Sequence, residues 1–350
     1  MVNFALCEWL RFPPGNERLG NLPHVRFRPM RAFQLTAQGT QPVLTDLPLP
    51  EPGPGQVRIA VGACGLNFAD LLMIEGRYQE RPALPMTLGM ELAGTVDALG
   101  PDVTGLAVGT RVAVFAGQGG LADFAVVPAA RCLHLPATMD FATAAAFQIA
   151  YGTSHLALTR RAQLAAGETL LVLGAAGGVG LTAVEIGKRL GATVIASARG
   201  PDRLAVAQAA GADHLIDSDA PDLRGALKAL GGVDVVYDAV GGPAFLDALR
   251  ATRPEGRLLT IGFAGGEVPQ IPANLLLVKN LTVIGLYWGG YLSFAPDALT
   301  GSLATLLDWH SKGWLAPHIS HRLPLERAAE GLDLLRTRRA TGKVVITMDG

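Results

Sequence analysis

Cysteine is scarce in this chain: Cys7, Cys64 and Cys132 are the only three in 350 residues. They make no C-x-x-C pair and no even set, which excludes a disulfide framework and fits a reducing, cytoplasmic setting. Cys132-Leu-His134 brings two metal-ligating residue types onto one strand, but with no further partner nearby they read as core and surface residues. Net charge is also nearly absent, with 29 basic and 30 acidic side chains giving −1. Composition therefore offers no electrostatic footprint for nucleic acid or for an anionic membrane. No uncharged apolar run approaches the ~18 residues of a membrane span. Glycine is the opposite case, with 43 residues, clustered mostly where strands are expected to end. The length suits two domains with a substantial core.

The most informative stretch is Thr169-Leu-Leu-Val-Leu-Gly174-Ala175-Ala176-Gly177-Gly178-Val179-Gly180. Its apolar run reads as a buried strand, and Leu181–Leu190 has helical spacing. A strand, a glycine turn and a helix start together make a phosphate site. The first helical N–H groups have no internal acceptor and carry the positive end of the helix dipole. Ala175 stands where the strict G-x-G-x-x-G fingerprint has its first glycine. The strand-turn-helix context is what favours a dinucleotide over a plain glycine-rich turn. Ala176, Gly177, Gly178, Val179 and Gly180 are the expected pyrophosphate contacts.

Residues 1–29 differ from the rest. Val2–Leu10 is apolar but interrupted by Glu8, and the following stretch is rich in Pro, Arg and Asn. No basic segment precedes the apolar part, and Glu8 and Glu17 are foreign to a transit peptide. The expectation is a poorly ordered extension, with Met30 opening the folded protein as an upstream start codon would leave it. From Met30 to about Pro136, short strands are expected at Arg31–Leu35, Gln56–Gly62, Leu92–Leu99, Arg111–Phe115 and Ala122–Pro128. Breakers such as Pro52-Gly-Pro-Gly55 and Gly117-Gln-Gly-Gly120 separate them, and Phe68–Glu75 is a helical interruption. This spacing predicts a compact, barrel-like β domain.

The period then changes. Phe141–Leu158 is Ala-rich and predicts one helix into the glycine loop. Strands at Thr193–Ser197, His214–Asp217, Val233–Asp238, Arg257–Ile261 and Leu281–Tyr287 alternate with helices at Arg203–Ala210, Leu223–Leu230 and Pro243–Ala251. Such β-α repeats predict a doubly wound parallel sheet. Helices at Ala298–Lys312 and Leu325–Thr337 and a strand at Lys343–Met348 end the chain. The expected organisation is an extension (1–29), a β-rich catalytic domain (30–150 and 289–350) and an inserted cofactor domain (151–288), with a cleft between the last two.

Ligands of open α/β sheets lie beyond the carboxyl ends of the strands. Those ends nominate Ser197, Arg199, Arg203, Gly241, Ile261, Phe263 and Tyr287. A site for NAD puts an acidic residue after the second strand to hold the ribose 2′-hydroxyl. Here the place reads Ser197-Ala-Arg199-Gly-Pro-Asp202-Arg203, a hydroxyl followed by guanidinium groups. Planar guanidinium forks suit a 2′-phosphate, so NADPH is the expected cofactor. Asp202, beside Pro201, reads as a helix N-cap. The competing reading leaves Arg199 and Arg203 as solvated surface charges.

From Met30 onwards the chain resembles the zinc-independent quinone oxidoreductase branch of the medium-chain dehydrogenase/reductase superfamily. The resemblance rests on Cys64-Gly-Leu-Asn67-Phe-Ala-Asp70, Leu88-Gly-Met90-Glu91-Leu-Ala-Gly94, the glycine turn, Tyr237-Asp-Ala-Val-Gly-Gly242 and Thr341-Gly-Lys343-Val. Gly76-Arg-Tyr78-Gln-Glu80, Ile261-Gly-Phe-Ala-Gly-Gly266 and Leu286-Tyr-Trp-Gly289 look most like the quinone oxidoreductase-like protein 2 group. The resemblance implies a GroES-like β-rich catalytic domain plus a Rossmann cofactor domain. It also implies a basic 2′-phosphate residue at Arg203 and a basic residue near the cofactor at Lys343. Asn67 and Met90 stand where zinc-dependent relatives place a Cys and a His. An amide and a thioether are poor zinc ligands, so no metal is expected. The four-cysteine lobe of those relatives has no room within Arg111–Pro128. Ser218 replaces a tyrosine, and Ile261 a phenylalanine, of the family's nucleotide pocket.

Without a metal, charge developing on a substrate oxygen must meet hydrogen-bond donors. Asn67 carries an amide before the Phe68 helix and is the first candidate; the alternative is a plain N-cap. Tyr78 is a candidate proton donor from a loop over the cleft, as in related enoyl-thioester reductases; the alternative is a packed ring. Asp70 orients a neighbour, while Tyr151 and Thr153 line the nicotinamide side. Arg336, Arg338 and Arg339 read as a solvated face at a helix C-terminus, where cations are favoured, and His310, His318 and His321 lie in the returning tail without metal spacing. The expected function is NADPH-dependent reduction of quinones or activated enones. An enoyl-thioester reductase is the alternative, and a non-catalytic NADPH-binding protein is the alternative of another class. A small-molecule substrate, no nucleic acid, no membrane and a homodimer through the Rossmann edge strand complete the expectations.

Overall fold

The computed structural model describes residues 29–348. The expectations for residues 1–28, the extension among them, lie outside the described residues. The β-rich part opens with β1 (Pro29–Leu35), β2 (Val43–Pro48), β3 (Gln56–Gly65), α1 (Phe68–Ile74) and β4 (Met86–Thr87). It continues with β5 (Glu91–Leu99), β6 (Arg111–Phe115), β7 (Phe124–Pro128), β8 (Cys132–His134) and α2 (Phe141–Ala145). β3 alternates buried and half-buried residues over most of its length, the period-2 pattern of a strand with one face in the core. A helix α3 (Gln148–His155), extended by a π-helical turn to Arg161, leads into the second part.

That part is a βα alternation: β9 (Thr169–Leu173), α4 (Gly178–Arg189), β10 (Thr193–Ala198), α5 (Gly200–Ala209), β11 (His214–Asp217) and α6 (Leu223–Ala229). It continues through β12 (Val233–Asp238), α7 (Gly242–Ala251), β13 (Thr252–Thr260), α8 (Ala273–Lys279) and β14 (Thr282–Gly285). The strand order is β11-β10-β9-β12-β13-β14, and every pairing is parallel. β9 lies mid-sheet and all five of its residues are buried, as a strand covered on both faces requires. After β14 come α9 (Tyr291–Phe294), α10 (Pro296–Ser311), β15 (Ile319–Pro324), α11 (Ala328–Arg336) and β16 (Lys343–Thr347). β16 returns to the first part, antiparallel to β3, in the order β15-β16-β3-β5-β6-β8 with β7 also on β3. This is the two-domain architecture of a GroES-like β domain carrying a Rossmann domain.

Several elements differ from expectation. The single helix over Phe141–Leu158 is broken at Ala146–Phe147. The Ile149 N–H of α3 donates to the buried Glu91 carboxylate at 2.9 Å, so a second helix starts there on a fixed acceptor. The 150/151 domain junction therefore falls inside α3. Leu281–Tyr287 shortens to β14, because the chain turns away after Leu286 donates to Thr260. β2 and β15 escaped notice because most of their residues are exposed or half-buried and give no clean alternation. Asp202 is not the N-cap of α5: Arg199 holds that position, and the Gly200 N–H donates to Asp217 at 3.2 Å.

Candidate functional site

The turn after β9 is shaped by contact. A Cβ at Gly180 would lie 2.1 Å from the Gly174 carbonyl oxygen, so only glycine lets α4 start this close to the strand. Ala175 is fully buried and donates its N–H to Ser197 O at 3.0 Å; its methyl fits where the fingerprint has glycine. Within α4 the first N–H with a helical acceptor is that of Leu181, on Gly177 O at 2.9 Å. The N–H groups of Gly178, Val179 and Gly180 thus precede the helix's own ladder at its positive end. A Cβ at Gly178 would meet the Lys343 side chain at 3.2 Å. The Thr341-Gly-Lys343 segment is bound here too: Gly177 and Gly342 form a parallel bridge, and Gly342 N–H donates to Ala176 O at 2.8 Å. A cradle of backbone donors with no Cβ at Gly178 or Gly180 fits a pyrophosphate.

The end of β10 carries the next group of candidates. Ser197 is buried inside the strand, which runs one residue further than expected, so its hydroxyl is not the first polar group past the strand end. Arg199 donates to Asp219 at 3.2 Å, and both side chains are exposed. Arg203 donates to the main-chain oxygen of Arg338. Arg338 itself, in the left-handed region at φ 55°, donates to Ala264 O at 2.9 Å. Arg338 is exposed, as a solvated tail residue would be, and it also bridges the C-terminal segment to α5 through its main-chain oxygen and to the loop after β13 through its side chain. Sequence spacing gave no sign of it. Gly241 is held by Asp238, whose buried carboxylate accepts from Val240 N at 2.7 Å and from Gly241 N at 3.0 Å. Burial raises the Asp238 pKa despite those bonds. Ile261 donates to Asp238 O at 2.8 Å, and Phe263 is exposed on the same rim.

Beneath the glycine turn lies a buried polar network. Glu91 and Lys343 form an ion pair at 2.8 Å, and Lys343 also donates to Leu66 O at 2.8 Å and Asn67 Oδ1 at 2.7 Å. Asn67 Nδ2 donates to Glu91 Oε1 at 3.0 Å and to Gly65 O at 3.2 Å. Both amide hydrogens of Asn67 are therefore engaged within the protein, and its carboxamide reaches a substrate oxygen only by giving up one of these bonds. Asn67 also occupies the N-cap of α1, where its N–H donates to Asp70 Oδ2 at 2.8 Å. Asp70 is fully buried, and burial pushes its carboxyl up to about 6 against the lowering effects of that bond and of Lys343. Glu91 was quoted only as part of a motif, yet it is the residue on which Asn67, Lys343 and α3 converge. The only hint in the sequence was a lone acid in the apolar run Leu88–Gly94.

Tyr151 is buried, and its hydroxyl donates to Glu185 on α4 at 2.6 Å. Burial and that carboxylate keep the phenol protonated. A cavity of about 260 Å³ beside the turn is lined by Tyr151, Gly178, Glu185, His318, Gly342 and Lys343. Thr153 is buried on α3 next to Ser154, which bonds Thr182 at 2.7 Å and Tyr237 at 2.9 Å. Tyr78 lies on the loop after α1, and its ring meets that of Tyr287 edge to face at 6.5 Å. Burial, reinforced by the Glu80 charge, pushes Tyr78 up to about 12. Tyr287 donates its hydroxyl to Glu80, so the structure ties it to this loop.

Among the described residues no group of three or more His, Cys, Asp or Glu is placed to hold a metal ion, and no helix is long and apolar enough to cross a membrane. Fold and cradle define a medium-chain dehydrogenase/reductase. Residues 53–137 match the alcohol dehydrogenase GroES-like domain family and residues 178–306 the zinc-binding dehydrogenase family. Quinone oxidoreductase-like protein 2 homolog of Nematostella vectensis is 40% identical over 84% of this chain and 82% of its own length. Quinone oxidoreductase-like protein 2 of Bos taurus is 38% identical over 90% and 91%. Among solved structures, quinone oxidoreductase from Thermus thermophilus, described with its NADPH complex, matches with TM-score 0.81 at 34% identity over 91% of this chain and 100% of that one. The chain belongs to the quinone oxidoreductase-like branch of the superfamily.

Proposed function

We propose that this protein is an NADPH-dependent, zinc-independent reductase of quinones or activated α,β-unsaturated carbonyls. The observation that carries the reading is the cradle of Gly178, Val179 and Gly180 backbone donors, with Arg199, Arg203 and Arg338 on the rim where a 2′-phosphate would lie. The NADPH complex of the Thermus relative supports the same cofactor. When bound, the reduced nicotinamide supplies a hydride. The chain's own part is to hold the phosphates, exclude water and meet the product's charge. The Asn67 amide, held by Glu91 and Lys343, and the Tyr78 hydroxyl are the donors nearest that task.

Zinc independence rests on the donor set. Asn67 is an amide already bonded to Lys343 and Glu91, and Met90 is a buried thioether. A homodimer is part of the proposal, because among the described residues β14 is the edge strand of the parallel sheet and α8 exposes Leu277 and Val278. So is a cytoplasmic location, on the sparse cysteines. Tyr78 as an acid favours enones and enoyl thioesters as a second acceptor class.

The deciding experiment is NADPH oxidation by the purified protein against quinones, enones and enoyl-CoA esters, with metal content measured in parallel. We expect turnover with NADPH well above NADH and no stoichiometric zinc. Tight NADPH binding with no oxidation by any acceptor would instead make it a non-catalytic binding protein. A monomer mass in light scattering would overturn the dimer.

A further inference from the structure

Four buried side-chain polar atoms have no hydrogen-bond partner among the described residues, and three of them are donors: Gln148 Nε2, Trp288 Nε1 and Arg257 Nε. Arg257 meets Glu168 through Nη2, so its charge is paired. Gln148 and Trp288 have no such relief. Gln148 is 2% exposed and Trp288 5%, and burying a donor unpaired costs roughly 1–3 kcal/mol. The two donors also share one helix face. Gln148 opens α3, and Gly152, one turn later, lies on the same side. A Cβ at Gly152 would lie 2.6 Å from Trp288 Nε1, so the indole nitrogen rests against that side of α3.

This part of α3 adjoins Asn67. The Ile149 N–H donates to Glu91 Oε2 at 2.9 Å, while Asn67 Nδ2 donates to Glu91 Oε1 at 3.0 Å. Gln148 and Asn67 thus flank one carboxylate. A Cβ at Gly65 would lie 2.2 Å from Ala145 O, so the strand that delivers Asn67 touches the helix break that delivers Gln148. Phe115 pairs with Glu91 across β5 and β6, and its ring meets that of Trp288 at 5.0 Å. The unpaired donors therefore sit beside an aromatic wall, within one residue of the network that holds Asn67.

We propose that Gln148 Nε2 and Trp288 Nε1 are the donors that receive the carbonyl oxygen of the electron acceptor; this rests on the reductase reading above. In an enone the β-carbon takes the hydride and forms a C–H bond. The π pair of the C=C bond shifts towards the carbonyl, and its oxygen becomes the enolate oxygen with one negative charge. Both electrons come from the reduced dinucleotide, and a proton from water completes the product. A quinone gains the same charge on oxygen. Neither donor loses its proton; each holds the charge. A carbonyl oxygen has two lone pairs and can take both. Asn67 reaches such an oxygen only by breaking a bond, whereas Gln148 and Trp288 break none. Donors left unpaired need no rearrangement as the charge develops, which is the condition for electrostatic stabilisation. Both atoms are shielded from water in this structure, so the acceptor parts the indole from α3 and settles between the two.

The test compares Gln148→Leu, Gln148→Glu and Trp288→Phe with the unaltered protein, using NADPH with an enone and with a quinone. Replacing an unpaired buried donor by an apolar group of similar size should not cost stability. We expect Gln148→Leu to keep its Tm, to lose about 10-fold or more in kcat/KM for both acceptors, and to hold KM for NADPH within about twofold. Trp288→Phe should lower kcat/KM for both acceptors in the same direction. Gln148→Glu should be the slowest at alkaline pH and recover as pH falls, because an ionised carboxylate repels the oxyanion and a protonated one donates again. A lowered Tm with unchanged kcat/KM in Gln148→Leu would mean a structural role and overturn the assignment. So would a loss confined to KM for NADPH, which would put the donors on the carboxamide of the dinucleotide. Those outcomes leave the reductase reading standing. Failure of the unaltered protein to oxidise NADPH with any acceptor would overturn that reading, and the assignment with it.

Discussion

Lys343 Nζ lies 2.8 Å from Glu91 Oε1, and both side chains are buried. The pair ties β16 to β5. With Leu66 O and Asn67 Oδ1, Glu91 gives the ammonium three acceptors, the number it has hydrogens for. Removing one partner leaves the other charged and unpaired in the core, which costs roughly 3–5 kcal/mol. We expect Lys343→Met to lower the urea midpoint by a loss of that order. Lys343→Met/Glu91→Gln should recover part of it, which equilibrium unfolding of both variants checks.

Asp70 gives the fold a measurable pH response. Its carboxyl is raised to about 6 by burial, above the unfolded value near 3.8. Between those values the native state holds a proton that the unfolded chain lacks. Its contribution to stability is therefore present at low pH and is lost as pH rises through about 6, by up to roughly 3 kcal/mol. Asp70→Asn should flatten that part of the profile. Urea midpoints at pH 4.5 and 7 in both proteins measure it.

The three arginines on the rim make separable predictions. Hydrogen bonds to a charged group are worth roughly 1.5–3 kcal/mol each. Arg199→Ala and Arg203→Ala should each lower kcat/KM for NADPH by about 10-fold and leave NADH nearly unaffected. Arg338→Ala should follow them, although it lies 135 residues from Arg203. A uniform loss with both cofactors would place these residues outside 2′-phosphate recognition.

Gly180 and Ala175 should respond in opposite ways. Gly180→Ala puts a Cβ 2.1 Å from Gly174 O, and we expect it to abolish NADPH binding and lower the Tm. Ala175→Gly opens a small void where the buried methyl sits, at a cost of about 1 kcal/mol, with cofactor affinity retained. Calorimetry with and without NADPH distinguishes the two outcomes.

Asn67→Ala and Tyr78→Phe should both lower kcat more than cofactor affinity, but only Asn67→Ala should also lower stability. Asn67 carries three hydrogen bonds of the buried network, whereas the Tyr78 ring only meets that of Tyr287 edge to face on the loop after α1. Thermal unfolding alongside steady-state kinetics separates them.

The fold was legible wherever burial imposed a period. β9 and β12 match their expected ranges because buried parallel strands are short, largely apolar runs. The glycine turn was legible because close approach leaves a compositional trace. The interior of the site was not. That Glu91 would take Asn67, Lys343 and the start of α3 depends on four elements meeting, and no local pattern encodes it. The bonds of Arg338 were hidden for the same reason: helix-end arginines look alike until tertiary contacts decide which one reaches the loop after β13. Tyr287 was visible as a polar residue past a strand end, but its bond to Glu80 joins positions 207 residues apart.

The bridge between Gly177 and Gly342 makes the floor of the phosphate turn out of the segment that carries Lys343. A chain cut before Thr341 would lack Gly342 under Ala176 and Lys343 under Asn67. Cofactor affinity therefore reports on whether the Thr341–Lys343 segment is docked, and not on the glycine turn alone.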